Sequence, residues 1–263
     1  MQKLWAILVN FHEEAKTINC IKLLNKQTIK GIGIIVIDSQ STPKSAKVLQ
    51  KIKGINLIPT SKNLGFAKGV NLGIKLALLK KASRILLVNS DTEFEKNLVE
   101  KLLQNRSDIV SPLIKYQRGK KCFYDWGGKI NWLWGRTQHH EITTTQKMNF
   151  HPDYLSGCCL LVKKNVFEKI GLLDERFFLY FEDVDFCLRA AAAGFKLQVE
   201  DQTTLKHNLK GVKNQERKSF TNLYHNLRSN LLFIIKYQKG KRLLLSFTYW
   251  LVLSVKVLLN SLL

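Results

Sequence analysis

Three carboxylates crowd into four positions of the run YFEDVDFCLR (180–189): Glu182, Asp183 and Asp185, flanked by Phe181 and Phe186. Like charges this close raise one another's pKa unless a cation, an arginine or solvent compensates. Crowding of this kind among aromatic rings costs stability and points to a function. Asp183 and Asp185 face different directions if a helix starts here, so the three do not share one task. The alternative is a solvated helix start, where acids favour the positive end of the helix dipole. A second carboxylate, Asp91 in VNSDT (88–92), follows a buried apolar run. A hard divalent cation takes carboxylate oxygens and usually keeps water and phosphate as its other ligands, so Asp91 with a diphosphate suits Mg²⁺ or Mn²⁺. The alternative is a helix cap by Asp91 or Thr92 for a helix from Glu93.

Weaker signals accompany these. Asp38 in VIDSQS (36–41) closes another apolar run, where it can accept hydrogen bonds from a base or sugar, or cap the next turn. Residues 63–73, NLGFAKGVNLG, space Gly65, Gly69 and Gly73 four apart, with Asn63 and Asn71 among them. Glycines let backbone approach a ligand closely. They equally let a helix pack closely. The run is neither a Walker loop nor the dinucleotide GxGxxG. His207 stands alone in LKHNLKG (205–211), and its case depends on what surrounds it.

The elements that must position these residues alternate in the first half. Strands are expected at Leu4–Asn10, Ile32–Asp38, Ile55–Pro59 and Arg84–Val88, and helices at Glu14–Gln27, Thr42–Lys53 and Gly65–Leu79. Continuous apolar runs suit buried parallel strands, and repeated β-α units imply a mostly parallel, doubly wound sheet. Ligands bind beyond the carboxyl ends of such strands, where Asp38 and Asp91 fall. Residues 115–153 show no clean period. A strand is expected at Leu160–Val162, and helices at Asn165–Ile170, Asp183–Ala193 and 216–240.

The 263 residues carry 42 Lys and Arg against 20 Asp and Glu, a net charge of +22. Hydrophobic content of 45% excludes wholesale disorder. Five cysteines without metal-type spacing argue against a disulfide framework or a zinc ribbon. The charge favours an anionic partner: nucleic acid, an acidic membrane surface or a phosphorylated ligand. It is uneven, because residues 206–242 hold ten Lys or Arg and one acid, Glu216. The apolar run Leu4–Val9 is too short for a secretory segment and reads as a buried strand. Leu243–Leu263 has one charge, Lys256, and follows Lys239, Lys241 and Arg242. The favoured expectation is a membrane-surface helix with a basic collar; a transmembrane span and a packed core helix are the alternatives.

The order of these pieces resembles glycosyltransferase family 2, the inverting nucleotide-sugar enzymes of GT-A fold, and within it the rhamnosyltransferase-like branch. The matching stretches are LVNFHEE (8–14), VIDSQS, NLGFAKGVNLGI (63–74), LLVNSDT (86–92), YLSGCCLLVKKNVFEKIGLLDERFFLYFEDVDFCLRAAAAGF (154–195) and His207. The resemblance implies an α/β GT-A domain over 1–211, with a nucleotide-binding half at about 1–112 and an acceptor half at about 113–211. The basic and apolar C-terminal helices then occupy 212–263. It implies Asp183 as catalytic base, with Glu182 and Asp185 beside it on the acceptor side. Asp38 would contact the nucleobase, with Asn10 and His12 lining the same pocket. Asn63, Gly65, Gly69, Asn71 and Ser90 would border the nucleoside and diphosphate. Asp91 would bind Mg²⁺ or Mn²⁺, with His207 as a second metal or diphosphate contact. The motif that often holds two acids reads Asn89-Ser90-Asp91 and keeps one, and the stretch after His207, Asn-Leu-Lys-Gly-Val, lacks the usual hydroxyl residue.

The implied reaction is an inverting transfer from a nucleoside-diphosphate sugar to a hydroxyl of a glycan or polyprenyl-linked acceptor, at the cytoplasmic face of an anionic membrane. Trp126, with Trp132 and Trp134, either walls the acceptor site or packs an irregular lobe. A nucleic-acid partner fits the charge but not the acidic 180–185 cluster, and no recognised nucleic-acid motif is present. A catalytically silent scaffold of the same fold is the other reading. Whether the protein forms a homo-oligomer is left open.

Overall fold

The computed structural model describes residues 3–145, 149–207 and 220–262. The first half alternates as the sequence predicts: β1 (Leu4–Asn10), α1 (Glu14–Asn25), β2 (Gly33–Asp38), α2 (Pro43–Leu49), β3 (Ile55–Pro59), α3 (Phe66–Leu79) and β4 (Arg84–Val88). Then follow β5 (Thr92–Phe94), α4 (Leu98–Gln104), β6 (Ile109–Arg118), β7 (Lys121–Asn131), β8 (Arg136–Ile142) and β9 (Cys159–Lys163). The chain continues through α5 (Lys164–Ile170), α6 (Glu182–Ala192), β10 (Leu197–His207), α7 (Phe220–Tyr237) and α8 (Gly240–Leu262).

All ten strands join one sheet, with the path β3-β2-β1-β4-β9-β6-β10-β5 and the β7–β8 hairpin branching from β6. The β3-β2-β1-β4 half is parallel, as expected. Beyond it the sheet is mixed, because β9 runs antiparallel to both β4 and β6, and β10 is parallel to β6. The strand period of two splits the apolar residues between two faces. Ile7, Ile35, Ile37, Ile85 and Leu87 bury against Ala67, Val70 and Ile74 of α3. Ala6, Leu8, Ile34, Val36, Leu86 and Val88 bury against Cys20, Ile21 and Leu24 of α1 and Leu98, Val99 and Leu102 of α4. Each fully buried Ile or Leu contributes about 1.5–3 kcal/mol, so this alternation fixes the strand register and with it the positions of the strand ends.

The glycine spacing of α3 resolves as close packing. A Cβ at Gly73 would stand 2.5 Å from Ile7 Cγ2, and one at Gly69 would stand 3.4 Å from Val9 Cγ2. The clash is severe at Gly73, whereas Gly69 sits in ordinary contact with Val9.

The C-terminal helices belong to the body. Phe233 and Ile234 of α7 are fully buried. The tip of the β7–β8 hairpin docks on α7 and α8: Asn230 Nδ2 donates to Gly135 O at 2.7 Å, Gln238 Nε2 to Trp132 O at 2.7 Å and Ser246 Oγ to Leu133 O at 3.1 Å. Trp132 stacks on Phe233 with ring centroids 6.2 Å apart, and Trp134 leans on Tyr249 at 5.0 Å. The other face of α8 leaves Leu244, Leu245, Leu251, Val252 and Val255 exposed. Among the described residues no helix is long and apolar enough to cross a membrane. Much of the basic 206–242 stretch, residues 208–219, lies outside the described residues.

Candidate active site

Asp91 is carried out of β4 by a short loop and immediately precedes Thr92, the first residue of β5. Antiparallel pairing of β5 with the end of β10 sets Thr92 opposite His207. Two residues 116 positions apart thereby meet, with His207 Nε2 3.2 Å from Asp91 Oδ1. Burial alone would raise the Asp91 pKa, but the His207 hydrogen bond and charge, with Lys16 behind them, hold it below the ordinary carboxylate value. Thr92 starts a strand rather than a helix, so the cap reading of Asp91 falls. An ionised carboxylate oxygen beside an imidazole nitrogen is a donor set that Mn²⁺ or Mg²⁺ accepts, given diphosphate and water as further ligands. Among the described residues no cluster of three or more metal-ligating side chains occurs. Ser90 is buried in the same loop.

Glu182 and Asp183 open α6. The two residues before them, Tyr180 and Phe181, both adopt left-handed backbone, at φ 69° and 67°. Consecutive non-glycine residues in that region store strain, which proteins keep where function requires it. The turn does not leave the acids in solvent, as the helix-start alternative supposes. Glu182 is 6% exposed, and its Oε2 has no hydrogen-bond partner among the described residues. Burial first, then the Asp183 charge, push the Glu182 pKa well above the ordinary range. Asp183 is half-buried; its Oδ2 accepts the Gly157 N–H and its Oδ1 the Val184 N–H, both at 2.8 Å. Burial raises its pKa, opposed by those amides and by His139.

Asp185 takes a different task. Two residues along a helix is a rotation of about 200°. Its carboxylate is fully buried, accepts Arg189 Nε at 2.8 Å and Tyr237 Oη at 2.6 Å, and pairs with Lys236 Nζ. It clamps α6 to α7 and is removed from the acceptor surface. Trp126 is also buried, at 4% exposure, and its Nε1 has no hydrogen-bond partner among the described residues.

The nucleotide-side residues divide in the same way. Asn10 and Asp38 end the adjacent strands β1 and β2 and are both buried, with Asn10 Nδ2 donating to Asp38 Oδ1 at 2.7 Å. Thr17 Oγ1 donates to Asn10 Oδ1, and Ser45 Oγ to Asp38 Oδ2, each at 2.7 Å. These side chains spend their polar atoms on one another and brace the strand ends. His12 is exposed beside Phe11, at φ 55°. Asn63 is exposed and accepts the Gly65 N–H at 2.9 Å. Gly65 is obligatory: its φ is 75°, and a Cβ would lie 2.5 Å from Phe178 O. Asn71 is buried, and its amide donates to Leu173 O at 2.9 Å and accepts Leu173 N–H at 3.1 Å, so its polar atoms are engaged within the protein.

The two chemical ends meet through the residues just before β9. Asn89 N–H, two residues before Asp91, donates to Cys158 O at 2.9 Å, and the neighbouring Gly157 N–H holds Asp183. The buried Cys158 thiol is pushed up to about 12, by burial first, with Asp125, Asp91 and Asp183 all adding to the effect. The metal-type carboxylate and the helix-start carboxylate therefore share one neighbourhood at one end of the sheet.

A model of the family described as "Glycosyl transferase family 2" matches residues 5–171. The chain belongs to glycosyl transferase family 2. Among curated family members, the dTDP-rhamnosyl transferase RfbF of Shigella flexneri is 25% identical over 208 residues, covering 78% of this chain and 68% of that protein. The N-acetylglucosaminyl-diphospho-decaprenol L-rhamnosyltransferase of Mycobacterium tuberculosis is 27% identical over 203 residues, 65% of each chain. The structure of GalNAc-T7 with UDP, GalNAc and Mn²⁺ superposes with a TM-score of 0.65 at 15% identity, over 79% of this chain and 44% of that one. That likeness shows the shared GT-A fold. The chain spans about two thirds of the length of these two relatives.

Sequence reasoning missed four features of the site. The Gly157 amide was hidden inside a strand-like run. His139 and Asp125 lie in the stretch without a period. Lys16 was one basic residue among many. The left-handed pair at 180–181 has no signature, since neither residue is glycine, asparagine or aspartate.

Proposed function

We propose that this protein moves a sugar, with rhamnose the first candidate, from a nucleoside-diphosphate donor to a hydroxyl of a glycan or lipid-linked glycan acceptor. The observation that carries the reading is the Gly157–Cys158 tether just before β9, which links the Asn89–Asp91 loop, paired with His207, to Asp183. Asp183 is the base. It takes the acceptor proton as the hydroxyl attacks the anomeric carbon, and attack opposite the leaving group inverts that centre. Glu182, buried next to it, hydrogen-bonds the acceptor. Asp91 and His207 hold Mg²⁺ or Mn²⁺, which when bound stabilises the charge gathering on the departing nucleoside diphosphate. Phe11, His12, Asn63 and Ser90 border the nucleotide.

The acceptor is lipid-linked in this reading, and the enzyme lies on an anionic membrane surface. Support comes from the +22 charge and from the exposed apolar face of α8 beside Lys241 and Arg242. Binding of nucleotide sugars, dTDP-rhamnose first, is measured by calorimetry with and without Mn²⁺, followed by transfer to a polyprenyl-diphosphate glycan. Metal-dependent binding followed by transfer with inversion is expected. Absence of binding to every nucleotide sugar overturns the assignment. Sedimentation with phosphatidylglycerol vesicles tests the surface, and a protein that stays in the supernatant removes the membrane from it.

A further inference from the structure

Residues 171–181, between α5 and α6, form neither helix nor strand. Backbone carbonyls in such a segment need partners from elsewhere. Helix α7 supplies them. Arg228 Nη1 donates to Arg176 O at 2.9 Å, and Ser229 Oγ donates to Leu179 O at 2.8 Å. His225 stacks on Phe178 with ring centroids 4.4 Å apart, and Phe233 packs against Phe181 at 5.3 Å. Further along, Lys236 reaches Asp174. Positions 225, 229, 233 and 236 recur at three and four residues, so one face of α7 serves the segment. The segment also meets the start of α3, where Phe178 O accepts the Phe66 N–H at 2.8 Å.

Ser229 stands apart among these contacts. A serine inside a helix ordinarily faces solvent or bonds back to a carbonyl of its own helix. Ser229 is fully buried, and its hydroxyl goes to the residue just before Tyr180. Tyr180 and Phe181 are the two left-handed residues that lead into α6. Backbone of this kind persists only where its surroundings over-determine it. Three contacts hold the turn: Ser229 on Leu179 O, Phe233 on the Phe181 ring, and Asp185 N–H, which donates to Phe181 O at 2.9 Å. Asp183 lies two residues beyond Phe181, so the dihedrals of the turn set the direction of its carboxyl.

We propose that Ser229 is a positioning residue: by holding Leu179 O it keeps the Tyr180–Phe181 turn left-handed, and the turn aims Asp183 at the acceptor. This rests on Asp183 being the base. Without the hydroxyl the turn relaxes toward ordinary backbone, and the carboxyl leaves its productive geometry.

The test is steady-state transfer from dTDP-rhamnose to a polyprenyl-diphosphate glycan, with circular dichroism as the folding check. Wild type, Ser229→Ala, Ser229→Cys, Tyr180→Asn and the Ser229→Ala, Tyr180→Asn double variant are compared. In Ser229→Ala kcat falls roughly tenfold, while the donor KM changes by no more than about twofold. Ser229→Cys, close in size but a weaker donor, loses part of that and carries the test should Ser229→Ala not fold. Asparagine adopts left-handed backbone more readily than tyrosine. In the Tyr180→Asn background, Ser229→Ala therefore costs only about threefold or less. A folded Ser229→Ala with the wild-type kcat overturns the proposal, and so does a loss of equal size in both backgrounds. Hydrogen exchange over residues 178–187 needs no substrate. It speeds up in Ser229→Ala, at Asp185 N–H above all, and unchanged protection overturns the proposal. Transfer by Asp183→Asn at the wild-type rate would instead remove the base assignment beneath it.

Discussion

Gly157 and Asp183 are fitted to each other: the glycine amide donates to Oδ2 at 2.8 Å, and a Cβ on Gly157 would stand 3.0 Å from Asp183 Cβ and 3.2 Å from Oδ2. Gly157 is not in left-handed backbone, so alanine can adopt its conformation. Gly157→Ala is expected to fold normally and still push Asp183 by a few tenths of an ångström. Reacting groups displaced by 1 Å lose about 100-fold, so roughly a tenfold loss of kcat is expected here. Asp183→Asn, which keeps the shape and removes the base, is expected to lose 10²–10⁴-fold. Steady-state transfer with thermal melting as control checks both. Normal turnover in Asp183→Asn would show that the proton goes elsewhere.

Asp91→Ala and His207→Ala are expected to weaken donor binding only in the presence of metal. The larger effect belongs to Asp91, whose carboxylate is held ionised by His207 and Lys16. Calorimetric titrations of a nucleotide sugar with Mn²⁺ and with EDTA separate the two conditions. Equal losses in both would assign the pair to direct nucleotide contact.

Glu182→Gln is expected to stabilise the fold in a pH-dependent way. The Glu182 pKa in the folded state lies above its unfolded value. Below the unfolded value, about 4.3, both states are protonated and wild type suffers no penalty. As pH rises above it, the unfolded state ionises first, and the folded protein loses ground until its own pKa is passed. Gln mimics the protonated acid, so the Tm difference in favour of Glu182→Gln should be small near pH 4.5 and grow toward pH 8. A constant difference across that range would place the carboxyl in an ordinary environment.

Lys236→Met is expected to cost about 2 kcal/mol, the usual value of a hydrogen bond to a charged group, because Lys236 serves both Asp174 and the buried Asp185. Arg176 first, and Lys236 as well, hold the Asp174 carboxyl below its ordinary range. A depressed carboxylate contributes its full stability above the unfolded pKa of about 3.9 and loses it as pH falls through the folded value. The gap between wild type and Lys236→Met in chemical denaturation should therefore narrow in acid. A gap that widens there would mean the ion pairs contribute little.

The parallel half of the fold is written in runs such as Ile34–Asp38 and Arg84–Val88, because a strand buried on both faces needs continuous apolar residues. The β7–β8 hairpin is not legible in this way. It lies partly at the surface, its register breaks at a bulge, and its Gly127-Gly128 pair is explained only by Tyr154, which is distant in sequence. β10 was hidden for the same reason, since its residues are mostly half-buried and polar. At the site, Glu182, Asp183, Asp91 and His207 stood out by type and spacing. Asp185, Asn71 and Trp126 also had the right types but are buried, a distinction that depends on contacts with α7, the 173–175 segment and the protein interior.

The Asp185 clamp has a consequence for how the enzyme is wired. The residue two places after the base is fastened to Lys236 and Tyr237, and the helix that carries them leads directly into the segment with the exposed apolar face. The start of α6, which carries Asp183, is therefore pinned to the end of α7, just ahead of that apolar face.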